Sequence, residues 1–197
     1  MNYDIILCGV GGQGGISVSI LIARAAMAEG FRVKQSEIHG MAQRGGEVLA
    51  HLRISDSEPA SPSIPLGAAD LIISFEPLEA LRHARWLSAE RGNLISAVSP
   101  VRNIPDYPEL EAILAELRAL PRVHLVDADA IAKEAGNARA ANMVLVGLAS
   151  TLMPISPERL ETETATFFAR KGQAVVDANI AAFRKGRKAM GPSALRP

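Results

Sequence analysis

Apolar positions along this chain fall into short runs, and their spacing changes from run to run. Residues 3–8 (YDIILC) are almost continuously apolar and end at a glycine, which predicts a buried parallel strand. A helix is expected next, with Ile16, Ile20, Ala23 and Met27 at helical spacing and Gly30 as its stop. Residues 31–38 and 47–55 alternate apolar with polar side chains and predict two more strands. No helical crossover separates those two, so the second is expected to pair antiparallel with a neighbour.

Beyond a surface loop at 56–69 with three prolines, the rhythm becomes strand, helix, strand, helix, strand. The strands are expected at 70–75, 93–100 and 122–127. The helices are expected at 77–89, with Pro77 in its first position, and at 106–120, where Leu110, Ile113, Leu114, Leu117 and Leu120 form one apolar stripe. From Asp129 onward the pattern is helical. Residues 138–153 are apolar almost all round. Residues 156–169 open with a Ser156 cap and Pro157, and Gly172 sets off a last helix to 190. This order predicts a three-layer α/β/α Rossmann-like domain with a mostly parallel, mixed sheet and a helical C-terminal third packed on the sheet or on a partner. Residues 1–190 read as one domain and 191–197 as a tail.

Composition narrows the function classes. The 197 residues are 48% hydrophobic but only 4% aromatic, as expected of an aliphatic core under strands and helices. Lys plus Arg and Asp plus Glu number 21 each, so no strong electrostatic pull on nucleic acid or a membrane surface is expected. The single cysteine, Cys8, excludes a disulfide within the chain and an iron–sulfur cluster held by this chain alone. It reads as a small buried hydrophobe. No apolar stretch reaches a membrane span of about 20 residues, and the first residues lack a signal-peptide pattern. A cytoplasmic location is the expectation.

Candidate chemistry starts in "CGVGGQGGISVS", residues 8–19, where five glycines occupy seven positions. Gly9, Gly11 and Gly14 satisfy G-x-G-x-x-G after a strand and before a helix. Such a loop brings backbone N–H groups to a ligand, and the helix N-terminus behind it favours anionic oxygens. Gly12 and Gly15 exceed what a tight turn needs, which favours a ligand over a purely structural turn. The ligand itself stays open at this point. A dinucleotide would want an acidic residue at the end of the second strand, where Glu37 is the candidate. A Walker loop is excluded, since no Lys-Ser/Thr pair follows.

A second glycine-bounded stretch, "SEIHGMAQRGGEV" (36–48), gathers Glu37, His39, Gln43 and Arg44. Arg44 is an anion partner or an ion-pair partner for Glu37, and His39 is a proton carrier or a backbone-bonding turn residue. The two motifs together resemble the gamma-type subunit of the 2-oxoacid:ferredoxin oxidoreductase family, and within it the subunit of the indolepyruvate type. The resemblance runs on through "DLIISFEPLEALR" and "GNARAANMVLVGLAS".

It implies a subunit that is inactive alone. Its larger alpha partner would carry thiamine diphosphate and iron–sulfur clusters, decarboxylate an aryl pyruvate, pass electrons to ferredoxin and form an acyl-CoA. The resemblance also implies coenzyme A contact at Gly9, Gly11, Gly12, Gln13, Gly14, Gly15 and Ser17. It places Glu37, His39, Gln43 and Arg44 near the subunit interface or active-site cleft, with no catalytic residue and no metal ligand. A homodimer is expected of the chain crystallised alone. The glycine pattern by itself leaves two alternatives: an independent NAD(P)- or FAD-binding oxidoreductase, and a non-catalytic nucleotide- or CoA-binding module. Asn142 is expected to bond backbone. His51, His83 and His124 show no ligand-like spacing and read as structural or surface residues.

Overall fold

The computed structural model describes residues 1–40 and 45–190. Among the described residues six strands form one sheet: β1 (Asn2–Val10), β2 (Arg32–His39), β3 (Glu47–Ser55), β4 (Leu71–Ser74), β5 (Asn93–Ala97) and β6 (Val123–Val126). Their order is β2-β3-β1-β4-β5-β6. β1, β4, β5 and β6 pair in parallel, while β3 runs antiparallel to both β1 and β2. The sheet is therefore mixed, as the pattern of the sequence predicts, and the reversed strand is the one that lacks a crossover.

β1 alternates between two cores, which explains its unbroken apolar run. Ile5 and Leu7 join α1 (Gly15–Ala28), α5 (Ala141–Ala149) and α7 (Gln173–Ala189) on one side. Ile6 and Cys8 join α2 (Pro77–His83) and α3 (Leu110–Ala119) on the other. α4 (Ala128–Glu134) and α6 (Pro157–Phe168) complete the first layer. The stripe expected of the 106–120 helix holds: Ile113, Leu114 and Leu117 are buried, with Leu110 and Leu120 at its edges. α5 is buried along Met143–Ala149, so the C-terminal third packs on this sheet. Among the described residues, no helix is long and apolar enough to cross a membrane.

Two readings need correction. The α1 stripe is rotated from its expected face: of Ile16, Ile20, Ala23 and Met27, only Ala23 is buried, and Ile20 and Met27 are exposed. Val18, Leu21, Ile22, Ala25 and Ala26 face the core instead. α1 is apolar around much of its circumference, so the turn that launches it, not hydrophobicity, chooses the inward face. The 56–69 loop is also less superficial than expected. Ile64 is buried, and Arg53, clamped in fork geometry on Asp4, holds the carbonyls of Ser61 and Ser63.

Candidate functional site

The carboxyl ends of β1, β4, β5 and β6 lie on one edge of the sheet, with the start of the reversed β3 beside them. The chain leaves β1 toward β2 on one side and reaches β4 on the other, so the β1–β4 boundary is a switch point where an α/β sheet opens a crevice. The glycine loop lies there. Gly12 and Gly14 have φ of 105° and 84°, left-handed values that side-chain-bearing residues rarely adopt. Gly14 is the N-cap of α1, and Gly15 opens the helix.

Part of the loop is committed to the fold. Gln13 accepts from Val10 N–H through Oε1 and donates through Nε2 to Phe75 O, each at 2.7 Å, so its amide clips the ends of β1 and β4 together. A Cβ on Gly9 would lie 2.8 Å from Gln13 Oε1, and one on Gly15 would lie 3.2 Å from Phe75 Cε2. Gly11 N–H donates to Gly46 O at 2.8 Å and Gly11 O accepts from Gly45 N–H. The second glycine motif thus meets the first through Gly45 and Gly46, and Asn103 Nδ2 donates to Gly45 O at 2.7 Å.

Gly12 faces solvent. No atom comes within 4 Å of a Cβ built on Gly12. The N–H groups of Gly15, Ile16 and Ser17 precede the first intrahelical bond, Val18 N to Gly14 O. α1 has neither a side-chain cap nor an acidic residue in its first turn, so its positive N-terminal end is not neutralised.

Two clefts flank this helix start. One, of 740 Å³, lies between Gly12, Phe75, the 99–101 segment and Leu145. The other, of 630 Å³, lies between Gly14, Ser17, Phe167, Phe168 and Lys171. Arg139 and Asn142 line both and form the divide. Arg139 is exposed and has no ion-pair partner among the described residues. Lys171 lies over the Phe168 ring at 5.3 Å. Asp129 adds one carboxylate to the larger cleft. A Cβ on Gly14 would sit 2.7 Å from Asn142 Nδ2, while Asn142 Oδ1 is buried with no hydrogen-bond partner among the described residues. Contrary to expectation, this oxygen does not bond backbone.

Of the second motif, Glu37 does not reach the glycine loop. It is exposed on the edge strand β2, opposite Ala50 of β3, and accepts from Gln35 Nε2. With β3 inserted between β1 and β2, Glu37 stands two strand spacings, about 10 Å, from β1. The ribose contact of a dinucleotide fold needs β2 directly beside β1, so this topology does not deliver the Glu37–ribose contact that a dinucleotide site would want. His39 ends β2, opposite Val48. Gln43 and Arg44 lie outside the described residues.

Sequence reasoning missed Glu76. This buried carboxylate caps α2 through Glu79 N–H at 2.9 Å and accepts from Val101 N–H at 3.3 Å and from the Tyr107 hydroxyl. It holds the 99–101 wall of the larger cleft. Burial, then the adjoining Glu76 carboxylate, pushes the Tyr107 hydroxyl above its ordinary range. A polar residue just before Pro77 was the available signal. Cys8 is buried, as expected. Its S–H donates to Glu79 O at 3.7 Å, and desolvation pushes its thiol up to about 12.

A family model described as pyruvate ferredoxin/flavodoxin oxidoreductase matches residues 4–189. The chain is 41% identical to the indolepyruvate oxidoreductase subunit IorB of Archaeoglobus fulgidus, across 94% of each chain. It is 40% identical to the subunit of the same name from Methanothermobacter thermautotrophicus, across 94% of this chain and 96% of that one. Among solved structures, the gamma subunit of keto/oxoacid ferredoxin oxidoreductase from Geobacter sulfurreducens is 25% identical with a TM-score of 0.69, covering 95% of this chain and 97% of that one. The 2-oxoglutarate:ferredoxin oxidoreductase of Magnetococcus marinus, solved with 2-oxoglutarate, coenzyme A and succinyl-CoA bound, shares the fold at 22% identity and a TM-score of 0.74. There the match covers 95% of this chain but 31% of the longer one.

Proposed function

The chain belongs to the pyruvate ferredoxin/flavodoxin oxidoreductase family, and from that premise we propose that the open start of α1 receives the phosphates of coenzyme A for a 2-oxoacid:ferredoxin oxidoreductase of the indolepyruvate type. The chain is a subunit of such an oxidoreductase. Residues 1–190 act in it as one unit. The single observation that carries the phosphate assignment is the uncapped, acid-free first turn of α1 opening onto clefts lined by Arg139.

In this reading Gly12, Gly14, Gly15 and Ser17 bring backbone N–H groups and one hydroxyl to the diphosphate. Arg139 and Lys171 supply the opposing charge. Gln13, Gly9 and Gly11 serve indirectly, by holding the loop against β4 and Gly46. To Glu37, His39, Gln43 and Arg44 we assign contact with the larger subunit or with the active-site cleft. None of these residues carries a bond-making step: the chain binds and orients the acyl acceptor.

The cluster chemistry does not fit this chain. Its one cysteine is buried, protonated and engaged with a backbone carbonyl, whereas a cluster needs several thiolates. Iron–sulfur clusters and thiamine diphosphate belong to the larger partner, which supplies decarboxylation and electron transfer to ferredoxin.

Co-expression with the larger subunit tests the reading. The expected result is a co-purifying complex that reduces ferredoxin with indolepyruvate and coenzyme A, while this chain alone is inactive. Arg139→Ala in that complex should raise the KM for coenzyme A about 5–10-fold and leave the KM for the 2-oxoacid unchanged. An unchanged coenzyme A KM, or melting-temperature shifts with NAD but none with coenzyme A, would overturn it.

A further inference from the structure

On the opposite layer from the clefts, Glu47 opens β3, while Glu79 and His83 share one face of α2 at i, i+4. His83 is buried, and its ring stacks on Trp86 with centroids 5.5 Å apart. His83 Nδ1 lies 2.8 Å from Glu79 O. A carbonyl oxygen only accepts, so Nδ1 carries a proton and donates it. In the neutral ring Nε2 is then a lone pair, yet it faces a carboxylate oxygen, Glu47 Oε1, at 3.0 Å. Two acceptors at that distance need a proton or a cation between them.

Glu79 favours the cation. Its side chain is 3% exposed, and Oε1 lies 3.4 Å from the Arg82 guanidinium. Its Oε2 is buried without a hydrogen-bond partner among the described residues. The Nδ1 atom 3.9 Å from it is already committed to the carbonyl. A proton between Nε2 and Oε1 would satisfy that pair alone, leaving this buried oxygen unmatched. One donor atom from each of the three side chains lies within 4.8 Å of the others, a spacing that one ion among them can bridge. The 3.0 Å separation of Nε2 and Oε1 also suits two donors each about 2.0–2.1 Å from one ion. The backbone carbonyl on Nδ1 is the usual outer partner of a metal-binding histidine.

We propose that Glu47, Glu79 and His83 form a binding site for one divalent transition-metal ion of the zinc class. One imidazole with two carboxylates favours zinc or cobalt over magnesium or calcium, which prefer all-oxygen shells. Glu47, half exposed, marks the open side through which the ion enters. A bound ion would tie the start of β3, next to Gly45 and Gly46, to α2.

The test uses the full chain, freed of metal with a chelator and titrated with Co²⁺ while visible absorption is read. One equivalent should bind with a coordinated-cobalt spectrum, Zn²⁺ should displace it, and Mg²⁺ should not. Glu47→Gln, at an exposed position, should keep the fold and weaken Co²⁺ binding at least about tenfold, and His83→Gln should abolish the spectrum. No stoichiometric cobalt uptake by the unaltered chain would overturn the proposal. So would equal uptake by folded Glu47→Gln. If His83→Gln does not fold, Glu47→Gln decides alone.

Discussion

Glycine serves opposite purposes in two regions of this molecule. Where α5 crosses α7, a Cβ on Gly147 would sit 1.9 Å from Phe183 O, and one on Gly186 would sit 2.0 Å from Val144 O. The two helix backbones touch there, and absent side chains are what let them approach. In the loop before α1, a Cβ on Gly12 would meet nothing within 4 Å. At the helix crossing the missing side chain lets protein backbone pack. At the loop it leaves backbone N–H groups exposed to a ligand and permits a positive φ. Gly14 shares both conditions, with a φ of 84° and Asn142 pressed against it.

The sharpest way to break this comparison is at the crossing. Gly186→Ala sets a methyl group against a carbonyl and backbone atoms of α5, none of which is a flexible side-chain end. The expected loss of stability is about 3 kcal/mol or more, read as a large fall in the denaturation midpoint or as insoluble chain. A midpoint within error of the unaltered protein would mean that the helices are not in backbone contact.

The loop's own structural component comes next. Gln13→Ala removes both ends of the clip at once and leaves Val10 N–H and Phe75 O to find water. A loss of about 2 kcal/mol is expected, measured by denaturant unfolding. Gln13→Glu would keep the acceptor for Val10 but set a carboxylate oxygen against Phe75 O, so it should cost at least as much as Gln13→Ala.

Gly14→Ala tests the position that shares both conditions. The left-handed φ costs about 1–2 kcal/mol with a side chain present, and Asn142 must also turn away. The Asn142 amide is a side-chain end and can move, so the loss should stay below that of Gly186→Ala. In a double-mutant cycle with Asn142→Ala, part of the loss should be recovered. Strict additivity would show that Asn142 does not press on Gly14.

These contrasts also explain what could be read from the sequence. β1 was legible because both of its faces are buried, which makes the run continuous, and Gly30 stops α1 through Phe31 N–H on Ala26 O. Absence of a crossover between residues 38 and 47 foretold the reversed strand. The inward face of α1 was not legible, because Ile20 and Met27 are as apolar as the residues that are buried. Half of the site was legible as well, since its glycines are adjacent in the chain. Arg139 and Asn142 reach the same spot from more than 120 residues away, and only tertiary packing brings them there. The helix-crossing glycines were invisible for the same reason: a glycine in an apolar helix shows no partner until the second helix is in place. Glu79 and His83 form an i, i+4 pair legible on its own, yet Glu47 completes the cluster only because β3 lies beside β1.

The smallest effect on stability and the most informative effect on function should come from Gly12→Ala. The added methyl group has no neighbour to strike, so its cost is the backbone alone, about 1 kcal/mol, reduced if the open turn shifts. Either outcome at the backbone displaces N–H groups that the proposed phosphate contact needs at fixed positions. Affinity for coenzyme A should therefore fall about tenfold, equivalent to about 1.4 kcal/mol, while the melting temperature moves little. Isothermal titration beside thermal denaturation separates the two quantities. A loss of stability as large as that of Gly186→Ala, with affinity unchanged, would place Gly12 with the packing glycines and make the loop a structural turn.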